Sequence, residues 1–210
     1  GKTYTLVQRT IYLIEECDVR PESIFIATFT EKAAKELVTR ITNELASRNI
    51  TANINEMYIG TFHSLCLRML KEHLEYTRLR KNYRLMDSFD QQYMVFQNIH
   101  RFRDIPESEI VLSNGSAWKQ AETICNFVNN LSEELVSPEE LMSDRDPSIA
   151  SLGRMLQEYR TILTEANLMD FSSIQIEAYR LLCDNEDILN ELRSAITHIM
   201  VDEYQDTNYI

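Results

Sequence analysis

Ile196-Thr197-His198-Ile199-Met200-Val201-Asp202-Glu203-Tyr204-Gln205-Asp206-Thr207-Asn208, near the C-terminal end, is the stretch on which the fold turns. Ile196 to Val201 are mostly β-branched or apolar, which predicts a short strand buried on both faces of a parallel sheet. The strand stops at two adjacent carboxylates. Acidic residues at the C-terminal edge of such a strand sit where open α/β sheets bind ligands. A pair there can divide the work: Asp202 holds a hydrated magnesium ion, while Glu203 orients or deprotonates an attacking water. Taken alone, the same residues also fit a strand followed by a polar loop, so the other end of the chain decides.

That other end opens Gly1-Lys2-Thr3 and runs into a helical pattern with Leu6, Ile11, Leu13 and Ile14. GKT is the tail of the phosphate-binding loop GxxxxGK[ST], in which backbone N–H groups cradle phosphates, the lysine reaches the β- and γ-phosphates and the hydroxyl ligates magnesium. The first half of that motif is missing. A chain beginning at Gly1 rather than methionine reads as a processed or excised piece.

Two further strand-to-helix units follow. Ile24-Phe25-Ile26-Ala27-Thr28-Phe29-Thr30 reads as a buried strand, and Thr30 caps a helix with a core stripe of Ala33, Ala34, Leu37, Val38, Ile41 and Leu45 and a basic face of Lys32, Lys35 and Arg40. Met57 to Gly60 repeats the design and leads into a helix from about Phe62 to Tyr76. Thr61, His63 and Ser64 gather polar groups at its start, where an anion is favoured. Phe29 is placed to stack on a base. Arg68, Lys71, Arg78, Arg80, Lys81 and Arg84 extend the positive charge.

The distribution of charge agrees with this placement. The 210 residues sum to −12, but residues 1–84 carry 13 Lys+Arg against 10 Asp+Glu, and residues 85–210 carry 8 against 23. Phosphate binding therefore belongs to the first part. Only 4 Gly and 4 Pro occur, where average usage gives roughly 15 and 10, which predicts long helices and few tight turns. No apolar run approaches the roughly 18 residues that a membrane span needs. Cys17, Cys66, Cys125 and Cys183 have neither CxxC nor zinc spacing and read as buried, reduced thiols of a cytoplasmic protein.

From Tyr83 to Ala195 the pattern is helical throughout: Gln91 to Arg103, a helix starting at Asn114 to Ser116, a capped start at Ser137-Pro138-Glu139-Glu140, Ser148 to Asn167, Ser172 to Cys183 and Glu186 to Ala195. Trp118 and the tyrosines of this segment read as core.

GKT, ATFTEKAAKEL, GTFHSLCLRML and IMVDEYQDTN, in that order, resemble motifs I, Ia, Ib and II of superfamily 1 DNA helicases of the UvrD/Rep/PcrA type. The ordered set is far more specific than any one piece, and it frames nearly the whole chain. The resemblance implies an α/β fold, a parallel-sheet P-loop (RecA-like) ATPase core with an inserted all-helical subdomain. The core (1A-like) would comprise 1–84 and 196–210, and the insertion (1B-like) 85–195. It implies ATP and magnesium as ligands. Gly1, Lys2 and Thr3 would contact the nucleotide, Thr3 and Asp202 the metal, and Glu203 would activate water. Gln205 would relay phosphate state. Thr28, Phe29, Thr30, Thr61, Phe62 and His63 would line a single-stranded DNA path. Partners would be single-stranded DNA, duplex junctions and the remaining helicase domains of the same polypeptide, without which this piece would be nearly inert. A helicase subunit of a recombination helicase–nuclease shares these motifs, and a non-hydrolysing DNA-binding module is the reading from a different class. An RNA helicase fits the resemblance less well.

Overall fold

Strand-forming residues and helix caps set the first half of the fold. In the computed structural model, which describes residues 1–112 and 114–206, helix α1 spans Lys2–Glu15, strand β1 Ile24–Thr28, helix α2 Glu31–Ser47, strand β2 Tyr58–Thr61 and helix α3 Phe62–Glu72. Thr30 does cap α2, its Oγ1 accepting the Ala33 N–H at 3.1 Å. The helix predicted to run to Tyr76 ends at Glu72, and Leu74–Tyr76 form a separate single turn.

The next stretch holds strand β3 (Arg84–Leu85) and helices α4 (Ser88–Gln97), α5 (Ile99–Arg103), α6 (Ser108–Val111), α7 (Ala117–Glu133), α8 (Pro138–Met142) and α9 (Pro147–Glu165). Strand β4 (Leu168–Met169), helix α10 (Phe171–Asp184), helix α11 (Glu186–Ala195) and strand β5 (His198–Val201) complete the order. Ser116 caps α7, and Ser137 with Glu140 forms a reciprocal capping box on α8. The helix expected over Gln91–Arg103 is broken at Asn98, whose side-chain amide donates to the Met94 carbonyl and competes with the backbone ladder there. The all-helical reading of 85–195 is also corrected. β3 and β4 pair in parallel, Arg84 with Leu168 and Leu85 with Met169. Two residues are too few to carry an alternation.

The chain divides into two compact units. Residues 1–72 and 178–206 supply the described part of the first, and His73–Glu177 that of the second. In the first, the parallel sheet has the order β2-β1-β5. Parallel pairing demands a crossover between β1 and β2, and α2 supplies it. Val7, Ile11, Leu37, Ile41 and Leu45 of the helices pack with Ile24 and Ile26 of β1 into one apolar cluster. In the second, Met94, Val95, Phe102, Ile124, Val128 and Leu156 centre another. This is a helix-rich α/β fold with a small parallel sheet.

Three burial expectations change. β1 is the strand buried on both faces; β5 is not, because among the described strands it pairs on one side only, and Ile199 is 68% exposed. Cys125 is buried and Cys66 half-buried, but Cys17 and Cys183 are exposed, the first lying beyond the end of α1. Trp118 lies 37% exposed, and Tyr93 and Tyr179 are also exposed, whereas Tyr159 is core. Apolar spacing identifies a helix face without saying which face a neighbour covers.

Candidate active site

Glycine at the head of a helix offers no side chain to its free amides. Gly1 is the N-cap of α1, makes no side-chain cap bond, and is followed by a first turn without acidic residues. The backbone donors of that turn and the helix dipole therefore present a ready anion site. Lys2 projects from the same turn.

β5 brings its acidic end to this turn. Its register with β1 sets Met200 beside Ile26 and Val201 beside Ala27, and the Asp202 N–H donates to the Ala27 carbonyl at 2.9 Å. The chain then bends sharply, and Glu203 adopts a left-handed backbone, φ 51°. That conformation costs a glutamate on the order of 1 kcal/mol or more. Its N–H donates to Asp202 Oδ1 at 3.1 Å, which steadies the turn. As a result the Glu203 carboxylate faces Lys2: Nζ donates to Oε2 at 2.8 Å, and Gln205 Nε2 donates to the same oxygen at 2.5 Å. These two donors, the lysine foremost, hold the Glu203 carboxyl below the usual carboxylate range.

The pair lies in an open cleft of about 370 Å³ lined by Lys2, Thr5, Leu6, Asp202, Glu203 and Gln205, with Val201 and Tyr204 completing it. Gly1 and Thr3 are not among its lining residues. Thr5, Leu6 and Tyr204 carried no functional signal in the sequence. Thr5 and Leu6 lie one helical turn beyond Lys2, which is the spacing that would have nominated them. Thr207 and Asn208, the last residues of the C-terminal motif, lie outside the described residues. Among the described residues no cluster of three or more His, Cys, Asp or Glu could form a metal cage. The half-buried Asp202 suits a cation that keeps most of its waters and phosphate ligands, as magnesium does.

The other candidate residues meet elsewhere on the same unit. Thr28 and Thr61 are paired across β1 and β2, which sets the two strand-to-helix turns side by side. Their hydroxyls are engaged internally, Thr28 Oγ1 donating to the Thr30 carbonyl and Thr61 Oγ1 to Glu31 Oε1. Phe29 is 61% exposed; Phe62 and His63 are half-buried. Burial pushes the His63 imidazole below its ordinary value. The structure thus gathers Lys2, Asp202, Glu203 and Gln205 at one point, and Thr28, Phe29, Thr30, Thr61, Phe62 and His63 at another.

The family model for the UvrD/REP helicase N-terminal domain matches residues 1–210. The chain belongs to this family. Among relatives of the UvrD/REP domain described here, a probable DNA helicase II homolog of Mycoplasma capricolum is 33% identical over 99% of the chain and 27% of the relative. The ATP-dependent DNA helicase SRS2 of Saccharomyces cerevisiae is 33% identical over 100% of the chain and 18% of its own length. DNA helicase II of Escherichia coli is 29% identical over 100% and 27% respectively. The UvrD/REP domain thus spans about a quarter or less of the length of these three relatives. Among its described residues no helix is long and apolar enough to cross a membrane.

Proposed function

We propose that this UvrD/REP domain belongs to an ATP-dependent DNA helicase that couples ATP hydrolysis to movement along single-stranded DNA and to duplex unwinding. The carrying observation is the ion pair between Lys2, on the first turn of α1, and Glu203, at the tip of β5. It supports the reading because the ammonium that would bind phosphate and the carboxylate that would activate water lie within one hydrogen bond of each other.

In this reading the α1 amides and the Lys2 ammonium bind the β- and γ-phosphates of ATP. The phosphates compete with Glu203 for Lys2. Once Lys2 turns to them, Glu203 Oε2 is open to accept a proton from the attacking water, and Gln205 keeps that carboxylate oriented. Asp202, with Thr3, would hold magnesium, which supplies neutralisation of phosphate charge when bound. Positioning by a general base contributes about 10²–10⁴-fold to a rate, so Glu203 is the residue on which turnover depends.

The exposed Phe29 serves as a base-stacking residue on the DNA path, with Phe62 and His63 beside it; Thr28, Thr30 and Thr61 shape the turns that present them. The proposed ATPase core (1A-like) covers 1–84 and 196–210, and the proposed 1B-like subdomain 85–195. The test is ATP hydrolysis by the full-length parent, with single-stranded DNA or RNA added. DNA-stimulated turnover abolished by Lys2→Ala and by Asp202→Asn supports the reading. Turnover unaffected by either change, or stimulated by RNA alone, refutes it.

A further inference from the structure

We infer that the second unit carries a stacking platform for unpaired bases, formed by Phe89, Tyr93 and Phe96 of α4 and Trp118 of α7, with Arg84 and Lys119 as its phosphate contacts. The proposal rests on reading the chain as part of a DNA motor and adds a strand-binding surface outside the first unit.

Positions 89, 93 and 96 follow the i, i+4, i+7 spacing of one helix face. The opposite face of α4 already packs inward through Gln91, Met94 and Val95, so the rings are surplus to the core. Trp118, the second residue of α7, closes them into a circuit. Phe89 and Tyr93 stack at 6.3 Å, Tyr93 and Phe96 at 6.4 Å, and the indole lies 5.8 Å from Phe89 and 5.6 Å from Phe96. Gln92 Nε2 donates to the Trp118 carbonyl at 3.2 Å and ties the two helices at this point. The ring contacts account for the edges that touch each other. They do not account for the outward faces, which leave Phe89 64% exposed. Neighbouring aromatic faces open to solvent are what a strand with unpaired bases stacks on, whatever its sequence.

Charge decides between a nucleic acid and a protein as occupant. Residues 73–177 carry 10 Lys+Arg and 17 Asp+Glu, a sum of −7 that disfavours a polyanion at long range. Salt screens charges beyond about 8 Å at physiological ionic strength, however, so near neighbours govern. Immediately before α4 the exposed Arg80, Lys81 and Arg84 run without a carboxylate between them. Arg84 reaches Asp90 at 2.7 Å, and Lys119, next to Trp118, reaches Glu122 at 2.9 Å. Both cations remain mostly exposed, and surface pairs of this kind are weak enough for a phosphate to displace. Asp90 and Glu122 are the carboxylates these two cations already hold, and Asp87 accepts the Asp90 N–H at the start of α4.

Trp118 is the chain's one tryptophan, so its emission reports on the platform directly. Titration of the 210-residue chain with oligothymidylate is expected to quench it, whereas an abasic sugar-phosphate oligomer of equal length is not. Phe89→Ala and Tyr93→Ala should each weaken the oligothymidylate by about tenfold, and Arg84→Gln and Lys119→Gln should each lower the salt slope by about 0.7. Phe89→Leu keeps an apolar side chain and guards against a folding artefact; it should weaken binding as Phe89→Ala does. The proposal is overturned by unchanged emission, whether or not a labelled strand binds by anisotropy, by equal quenching with the abasic oligomer, or by full binding to Phe89→Leu. Tighter quenching by a lysine–leucine amphipathic peptide than by oligothymidylate would make the surface a protein-docking site instead. None of these readouts involves Lys2 or Asp202, so the helicase reading stands or falls separately.

Discussion

Lys2 Nζ and Glu203 Oε2 lie 2.8 Å apart although 201 positions separate them in the chain. The contact exists because β5 runs parallel to β1 and turns back through a left-handed residue at its tip. It sets a carboxylate beside the start of α1, where the proposed function puts a phosphate. In that proposal Glu203 and the nucleotide compete for one ammonium group.

Competition has a measurable sign. Glu203→Gln in the full-length parent should tighten ADP binding without magnesium by about two- to fivefold, since an exposed pair of this kind is weak. Calorimetry showing weaker binding would mean that Glu203 helps to hold the nucleotide rather than opposing it.

Gly153 lets α9 lie directly against α8. A Cβ built there meets the Met142 backbone nitrogen at 2.7 Å and the Pro138 carbonyl oxygen at 2.8 Å. These are backbone atoms and cannot rotate away. Gly153→Ala should destabilise the protein by about 1–3 kcal/mol despite the better helix propensity of alanine, read from the urea midpoint.

A buried polar network joins α4, α7, α9 and the start of α10. Tyr159 Oη donates to Asp170 Oδ2, Gln91 Nε2 reaches both Tyr159 Oη and Asn129 Oδ1 at 2.8 Å, and the Ser173 N–H donates to Asp170 Oδ1 at 2.7 Å. Burial, then the Asp170 charge, raises the Tyr159 hydroxyl well above its ordinary value, keeping it a donor. Tyr159→Phe removes that donor from a carboxylate that is itself buried, and should cost about 1–3 kcal/mol, measured by chemical denaturation.

Thiol chemistry separates the four cysteines. Burial pushes Cys66 up to about 11 and Cys125 to about 12, so at pH 8 roughly one in a thousand or fewer of either is thiolate. Cys17 and Cys183 are exposed. Labelling with a disulfide reagent at pH 8 should show two fast and two slow thiols in the native protein, and four fast ones in denaturant.

His63 gives a pH dependence of stability. Its folded-state value lies below the ordinary 6.5 because burial disfavours the charged ring. The unfolded chain therefore binds the proton more tightly, and stability present above about pH 6.5 is lost as pH falls through the folded value. The urea midpoint should drop more between pH 7.5 and 5.5 in the native sequence than in His63→Gln.

Much of this was legible in the residues themselves. The strand cores at Ile24–Thr28 and around Met200, the Thr30 cap, the Ser137–Glu140 box and the helix Glu186–Ala195 all declare themselves through side-chain chemistry within a few positions. What stayed hidden depends on partners distant in sequence. Ile199 looks as buried as Ile26 until the strand order makes β5 one-sided. Trp118 looks like core until the inward face of α4 proves already filled. Asp170 carries a local signal of its own, since Asp-x-x-Ser at 170–173 suits a helix cap, but its burial among Tyr159 and Gln91 depends on distant partners. Glu203 gave no warning of its left-handed backbone, a conformation that glycine or asparagine would have announced.

The most direct test of the account is single-stranded DNA-stimulated ATP hydrolysis by the full-length parent carrying Glu203→Gln. The account predicts a fall in kcat of about 100-fold or more with ATP binding retained. An unchanged kcat would contradict it, because the group opposite Lys2 would then have no part in activating water.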